Sequence, residues 1–163
     1  MKKRIFISLM FICAFALNIY AQDDCSVYFN NSWLEHNVAK GNGYQTTKGL
    51  EIHCDFSIEG MQGKTMCIIA YFAVKNGDEY VPLQSRTGNN QFRSTDNSLC
   101  TGGFAYCKYE TTSWDDFILF IPYYELARSL SSDAELSCMV QVQSKSGEVF
   151  AVSEKMDFNF NKN

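Results

Sequence analysis

Only two histidines occur in this chain, and they bound the acid–base chemistry it can support. His36 lies in Trp33-Leu34-Glu35-His36-Asn37-Val38, and His53 sits on the polar parity of an alternating run. Nucleophilic catalysis needs a base beside a hydroxyl or thiol. The nucleophile next to His53 is Cys54, and adjacent residues of an extended strand point to opposite faces. Two histidines with Asp55 or Glu51 would offer metal donors, but nothing in the spacing fixes a geometry. Asp115-Asp116 would suit glycosidase chemistry only if both carboxyl groups flanked one bond, and neighbours on an extended chain diverge. They read instead as charges that keep the following apolar strand soluble. No G-x-S-x-G, Gly-rich phosphate loop or H-E-x-x-H occurs. The expectation is a protein that is not an enzyme and uses neither a metal nor a cofactor.

The cysteines are the next chemistry. Six follow residue 21: Cys25, Cys54, Cys67, Cys100, Cys107 and Cys138. An even number in an exported chain suggests disulfides, and six allow 15 pairings. Cys100 and Cys107 flank Gly102-Gly103, so a tight hairpin there would set them face to face. Cys54 and Cys138 share the inward parity of their strands and could bridge two sheets, or stay as buried thiols. Cys54–Cys67 is a rival pair across a turn at 60–61. Cys25 would staple the N-terminus to the cysteine left over. A zinc site built on thiolates would want close pairs, and no C-x-x-C is present.

Aromatic residues make up 15% of the chain, enough to furnish both a core and a binding surface. Trp33, Tyr106, Tyr109, Trp114 and Tyr123 fall at expected strand ends and loops, as does Tyr44, and are the ligand-binding candidates. Such rings could stack on a sugar or anchor a protein partner.

These side chains need a scaffold, and the N-terminus tells where it is built. Lys2, Lys3 and Arg4 precede thirteen apolar residues, Ile5 to Leu17, and Asn18-Ile19-Tyr20-Ala21 then supplies a polar break and a small residue. Residues 1–21 read as a cleavable signal peptide, and thirteen residues are too few to cross a bilayer, which takes about 20. Cys13 follows Phe11-Ile12, the wrong chemistry for a lipidated cysteine. Residues 22–163 then form one domain that is periplasmic or secreted, without membrane insertion. Cleavage leaves 11 basic against 18 acidic residues, a net charge of −7. That balance argues against nucleic acid and anionic lipid as partners.

Alternation dominates the mature chain. Leu50, Ile52, Cys54, Phe56 and Ile58 share one parity, and Glu51, His53, Asp55, Ser57 and Glu59 the other, which predicts a half-buried strand. Residues 60–63 turn the chain. Residues 65–74 are apolar on both parities, as in a central strand. Asn76-Gly77 predicts a hairpin returning through 79–83, with Pro82 near an edge. Residues 84–98 read as a polar loop with a short strand around Phe92, and 99–109 as a tight hairpin. Residues 117–121 form a buried strand, 123–130 one or two helical turns, 136–143 a strand, 145–148 a turn, and the rest a last strand. Seven to eight short strands predict an all-β antiparallel sandwich, immunoglobulin-like or C2-like, with a closed barrel as the alternative.

Several stretches carry a resemblance. Trp33-Leu34-Glu35-His36-Asn37-Val38, Lys48-Gly49-Leu50-Glu51-Ile52-His53, Phe56-Ser57-Ile58-Glu59-Gly60-Met61, Ala70-Tyr71-Phe72 and residues 116–126 (Asp-Phe-Ile-Leu-Phe-Ile-Pro-Tyr-Tyr-Glu-Leu) occur in this order. Together they resemble an uncharacterised β-sandwich domain recurring in Bacteroidetes proteins, alone behind a signal peptide or attached to peptidase, kinase-like or helical-repeat segments. The resemblance implies an accessory or binding module and offers no catalytic residues. The expected function is recognition of a protein or glycan through end loops at 40–48, 84–98 and 102–114. The alternative is a disulfide-stabilised effector or inhibitor acting on a host or competitor protein.

Overall fold

The computed structural model describes residues 25–41 and 45–162. The expected signal peptide and Tyr44 lie outside them. The strands are β1 (Ser26–Gly41), β2 (Thr46–Glu59), β3 (Thr65–Asn76), β4 (Glu79–Pro82), β5 (Cys100–Tyr106), β6 (Thr111–Pro122), β7 (Ala134–Gln143), β8 (Val149–Val152) and β9 (Met156–Phe160), with helix α1 (Tyr123–Ser129) after β6. A 3-10 turn at Asn90–Phe92 replaces the short strand expected there, capped by the Asn89 side chain on the Gln91 amide.

The nine strands form two antiparallel sheets, one of them curled into a half-barrel. The smaller has the order β1-β2-β6. In the larger, β3 and β7 pair at the centre, β4 and β5 share the free side of β3, and β8 and β9 share the free side of β7. Apolar parities from both sheets meet between them. Leu50, Ile52, Cys54, Phe56 and Ile58 of β2 are fully buried, opposite Ile68, Ala70 and Phe72 of β3 and Leu136, Cys138, Val140 and Val142 of β7. Each buried aliphatic or aromatic side chain contributes about 1.5–3 kcal/mol by leaving water.

Residues 99–109 depart from expectation. They form no hairpin: β5 is one continuous strand paired with β3 from Thr65↔Tyr106 to Tyr71↔Cys100. The two glycines serve close approach rather than a turn. A Cβ on Gly103 would meet the Phe117 ring at 3.2 Å and Leu119 at 3.3 Å, side chains of the other sheet. Here β5 runs beside β6 without a backbone ladder. The Thr101 hydroxyl donates to the Phe120 carbonyl at 2.8 Å across the gap.

Candidate functional site

The outer face of the smaller sheet gathers the polar parity of β2 with its neighbours. Register sets Trp33 opposite His53 and Glu35 opposite Glu51 on one side. On the other side it sets Ile118 opposite His53 and Phe120 opposite Glu51. Asp116, two residues before Ile118, shares that face. Although they point away from the core, Glu51 and His53 are only 8% and 5% exposed. Trp33 covers the imidazole as a stacked ring, centroids 4.9 Å apart at 12°. Lys40 reaches over the Phe120 ring and pairs with Glu51 Oε1 at 2.6 Å.

Each atom of the imidazole has a distinct neighbour. Nδ1 lies 2.7 Å from Asp116 Oδ1, the length of a charge-assisted hydrogen bond. Nε2 makes no hydrogen bond and stands 3.5 Å from both Glu35 Oε2 and Glu51 Oε2. Nδ1 is thus held by Asp116, and Nε2 is turned toward the two glutamates. The arrangement is an Asp–His pair that faces carboxylates, and among the described residues no hydroxyl or thiol hydrogen-bonds the imidazole as a nucleophile would. Cys54 points into the core from the opposite face, as strand alternation requires.

The larger sheet carries a different surface. A groove of about 550 Å³ runs over the outer face of β3 and β5, between residues 91–95 of the long loop and the turn at 144–147. Cys67, Ile69, Tyr71 and Gly102 form its floor, and Phe104 stands on its edge, 71% exposed. Gln91, Arg93, Gln143 and Lys145 supply donors around the rim.

The five aromatic candidates do not converge. Trp33 lies over His53. Tyr106 and Tyr109 are both 58% exposed, at the end of β5 and in the turn after it, and Tyr106 shares the strand parity of Phe104. Trp114 is a correction: it sits within β6, packed against the core and stacked on Phe56 at 5.0 Å, because β6 begins at Thr111 rather than Phe117. Tyr123 opens α1, where its hydroxyl accepts from the Asn37 amide at 2.8 Å and lies 3.3 Å from His36 Nδ1. It lines a separate hollow of about 420 Å³ with His36 and Phe160. Of the end loops, 84–98 borders the groove, 102–114 is mostly strand, and 42–44 lie outside the described residues.

All six described cysteines are thiols. Cys100 and Cys107 cannot bridge, because a straight strand of this length separates them by about 23 Å and a disulfide spans less than about 7 Å between Cα atoms. Cys54 and Cys67 are also poor partners: their strands belong to different sheets, and Cys67 faces outward into the groove. Burial pushes the Cys54 thiol up to about 12. Burial, with Cys54 as a neighbouring charge, raises Cys138 as well. Burial and then the nearness of Cys107 raise Cys25.

No protein-family model and no curated protein matches the chain. Among solved structures it is similar to part of β-glucosidase 3B from Thermotoga neapolitana in complex with glucose, at 13% identity and a TM-score of 0.36. The match covers 86% of this chain and 18% of that one. A likeness of this size assigns neither fold nor activity.

Proposed function

We propose that this chain is an exported, non-enzymatic binding module of the immunoglobulin-like or C2-like sandwich type, related to the Bacteroidetes domain it resembles, and that its groove over β3 and β5 takes a protein partner. The observation that carries the reading is Phe104. An apolar ring 71% exposed on the edge of an apolar-floored groove, continued along β5 by Tyr106, is costly to leave in water. Exposed apolar patches rimmed by polar groups mark interaction surfaces, and aromatic anchors dominate their binding energy. The donors on the rim would orient a bound chain. A glycan is the second reading, favoured by the same rings beside Gln91, Arg93 and Gln143. Beyond the effect of burial, Cys54 lies near enough to Cys138, and Cys107 to Cys25, to raise the neighbouring thiol.

The test is selection of a displayed peptide library and a glycan array on the folded chain, each repeated with Phe104→Ser. Enriched peptides whose affinity falls at least about tenfold in the variant support the protein reading. Glycan binding with that dependence moves the assignment to the second reading. Ligands indifferent to Phe104→Ser, or none in either screen, remove the groove as the site.

A further inference from the structure

We propose that Glu35, Glu51 and His53 form a binding site for one divalent cation of the zinc class on the outer face of the smaller sheet.

The geometry of the donors carries this. His53 Nε2 and one carboxylate oxygen from each glutamate lie within 4.8 Å of one another. The two Nε2–oxygen separations are both 3.5 Å, too long for the 2.7–2.9 Å of a charge-assisted hydrogen bond. They are close to the roughly 3.4 Å edge of a tetrahedron whose metal–ligand bonds are about 2.1 Å. Had the imidazole been placed to pair with these carboxylates, one contact would have closed. Instead a buried nitrogen is left without a hydrogen-bond partner, an unfavourable arrangement unless something else occupies the site.

The groups behind the donors fit the same purpose. Asp116 holds Nδ1 at 2.7 Å, the carboxylate–histidine arrangement that fixes the ring and turns Nε2 toward a metal. Lys40 engages Glu51 Oε1, which leaves Oε2 directed at Nε2. Trp33 stacks on the ring and keeps water from that side. Glu35 is 61% exposed, so the entry path and the fourth coordination position lie on its side. Three carboxylates face one ammonium, leaving two negative charges in excess for a divalent ion to offset. Imidazole nitrogen with carboxylate oxygen is a donor set that suits zinc. It is independent of the thiols, since Cys54 lies on the other face of β2.

Titration of the folded chain with Co²⁺ tests the site. The expected result is one equivalent bound, with the visible ligand-field band of tetrahedral cobalt and no thiolate-to-metal charge-transfer band. Zn²⁺ should displace it. Glu35→Gln, on an exposed side chain, should weaken binding at least about tenfold, and Asp116→Asn by about 10–100-fold. His53→Gln should abolish it, and if that variant loses its native circular dichroism, the Glu35→Gln titration decides alone. Absence of the tetrahedral band, binding unchanged in Glu35→Gln, or a charge-transfer band that reports thiolate ligands would overturn the assignment. So would evidence that the cluster takes up only a proton, with no metal retained at one equivalent.

Discussion

On the outer face of the smaller sheet, Glu51 and His53 lie sealed beneath Trp33 and Lys40. On the outer face of the larger sheet, Cys67, Ile69 and Tyr71 lie at the floor of an open groove. The first surface spends its burial on charged groups held at fixed distances. The second leaves apolar groups accessible beneath a polar rim of loops. The difference follows from what flanks each central strand. β2 has long neighbours on both sides, whose side chains close over it. On one side of β3 the short strands β4 and β5 divide its length between them, and Gly102 leaves the outer face beside Ile69 bare. A closed face suits a small ion, whereas an open one suits a chain.

The contrast can be broken first through the thiols. In the reduced folded chain at pH 8, a thiol raised from 9.0 to about 12 holds about 1000-fold less thiolate than an ordinary one. Iodoacetamide should therefore label Cys67 in the groove long before Cys54 between the sheets, as read by peptide mass spectrometry. Equal labelling rates would mean that the two sheets separate readily. The next effect is steric. A Cβ on Gly49 would lie 2.4 Å from the Ile121 carbonyl oxygen, so Gly49→Ala must displace backbone and should cost about 3 kcal/mol in urea unfolding. Gly102→Ala in the groove floor meets Ile68 and Ile69 at 3.2 Å and should cost about 1 kcal/mol. A reversed order would show that the smaller sheet is the looser one. The smallest effect concerns the groove rim. The Ser94 hydroxyl, followed by Ser98, holds the Asp96 carboxyl below its usual 3.8. A depressed pKa stabilises above the unfolded value and loses that contribution as pH falls through the folded one. Asp96→Asn should therefore lower stability at about pH 6 by less than about 1 kcal/mol, because the side chain is exposed, and make no difference near pH 2. A deficit that persists in acid would point to packing rather than charge.

Legibility in the sequence tracked how regular each strand is. The run 50–58 alternates without interruption, and β2 contains it intact. The Asn76-Gly77 turn, α1 and β7 also lie where their residues predict. β1 escaped notice because register shifts at Phe29/Asn31 and His36/Val38 break its alternation, so Val27 and Phe29 share one parity and Leu34 the other while all three face the core. The start of β6 was hidden similarly by a bulge between Trp114 and Phe117, which pair with Phe56 and Cys54. In the last segment, Phe150 and Phe158 share a parity, but Ser153 to Lys155 divide it into two strands that both pair with β7. The His53 cluster was out of reach for a different reason. Glu51, two residues away on the same strand, was legible as a donor. Glu35 and Asp116 sit 18 residues before His53 and 63 after it, in strands that only sheet order brings alongside. The signal available was the histidine itself, a titratable group on the wet parity of the most regular strand.

One contact gives the fold a direction of give. Between β5 and β6 the two sheets come edge to edge, and what joins them is the Thr101 hydroxyl on the Phe120 carbonyl rather than a run of amide pairs. A seam closed by one side-chain hydrogen bond lacks the cooperative ladder that holds the strands within each sheet. Loss of that bond would free the edge of one sheet from the other while both ladders stay whole.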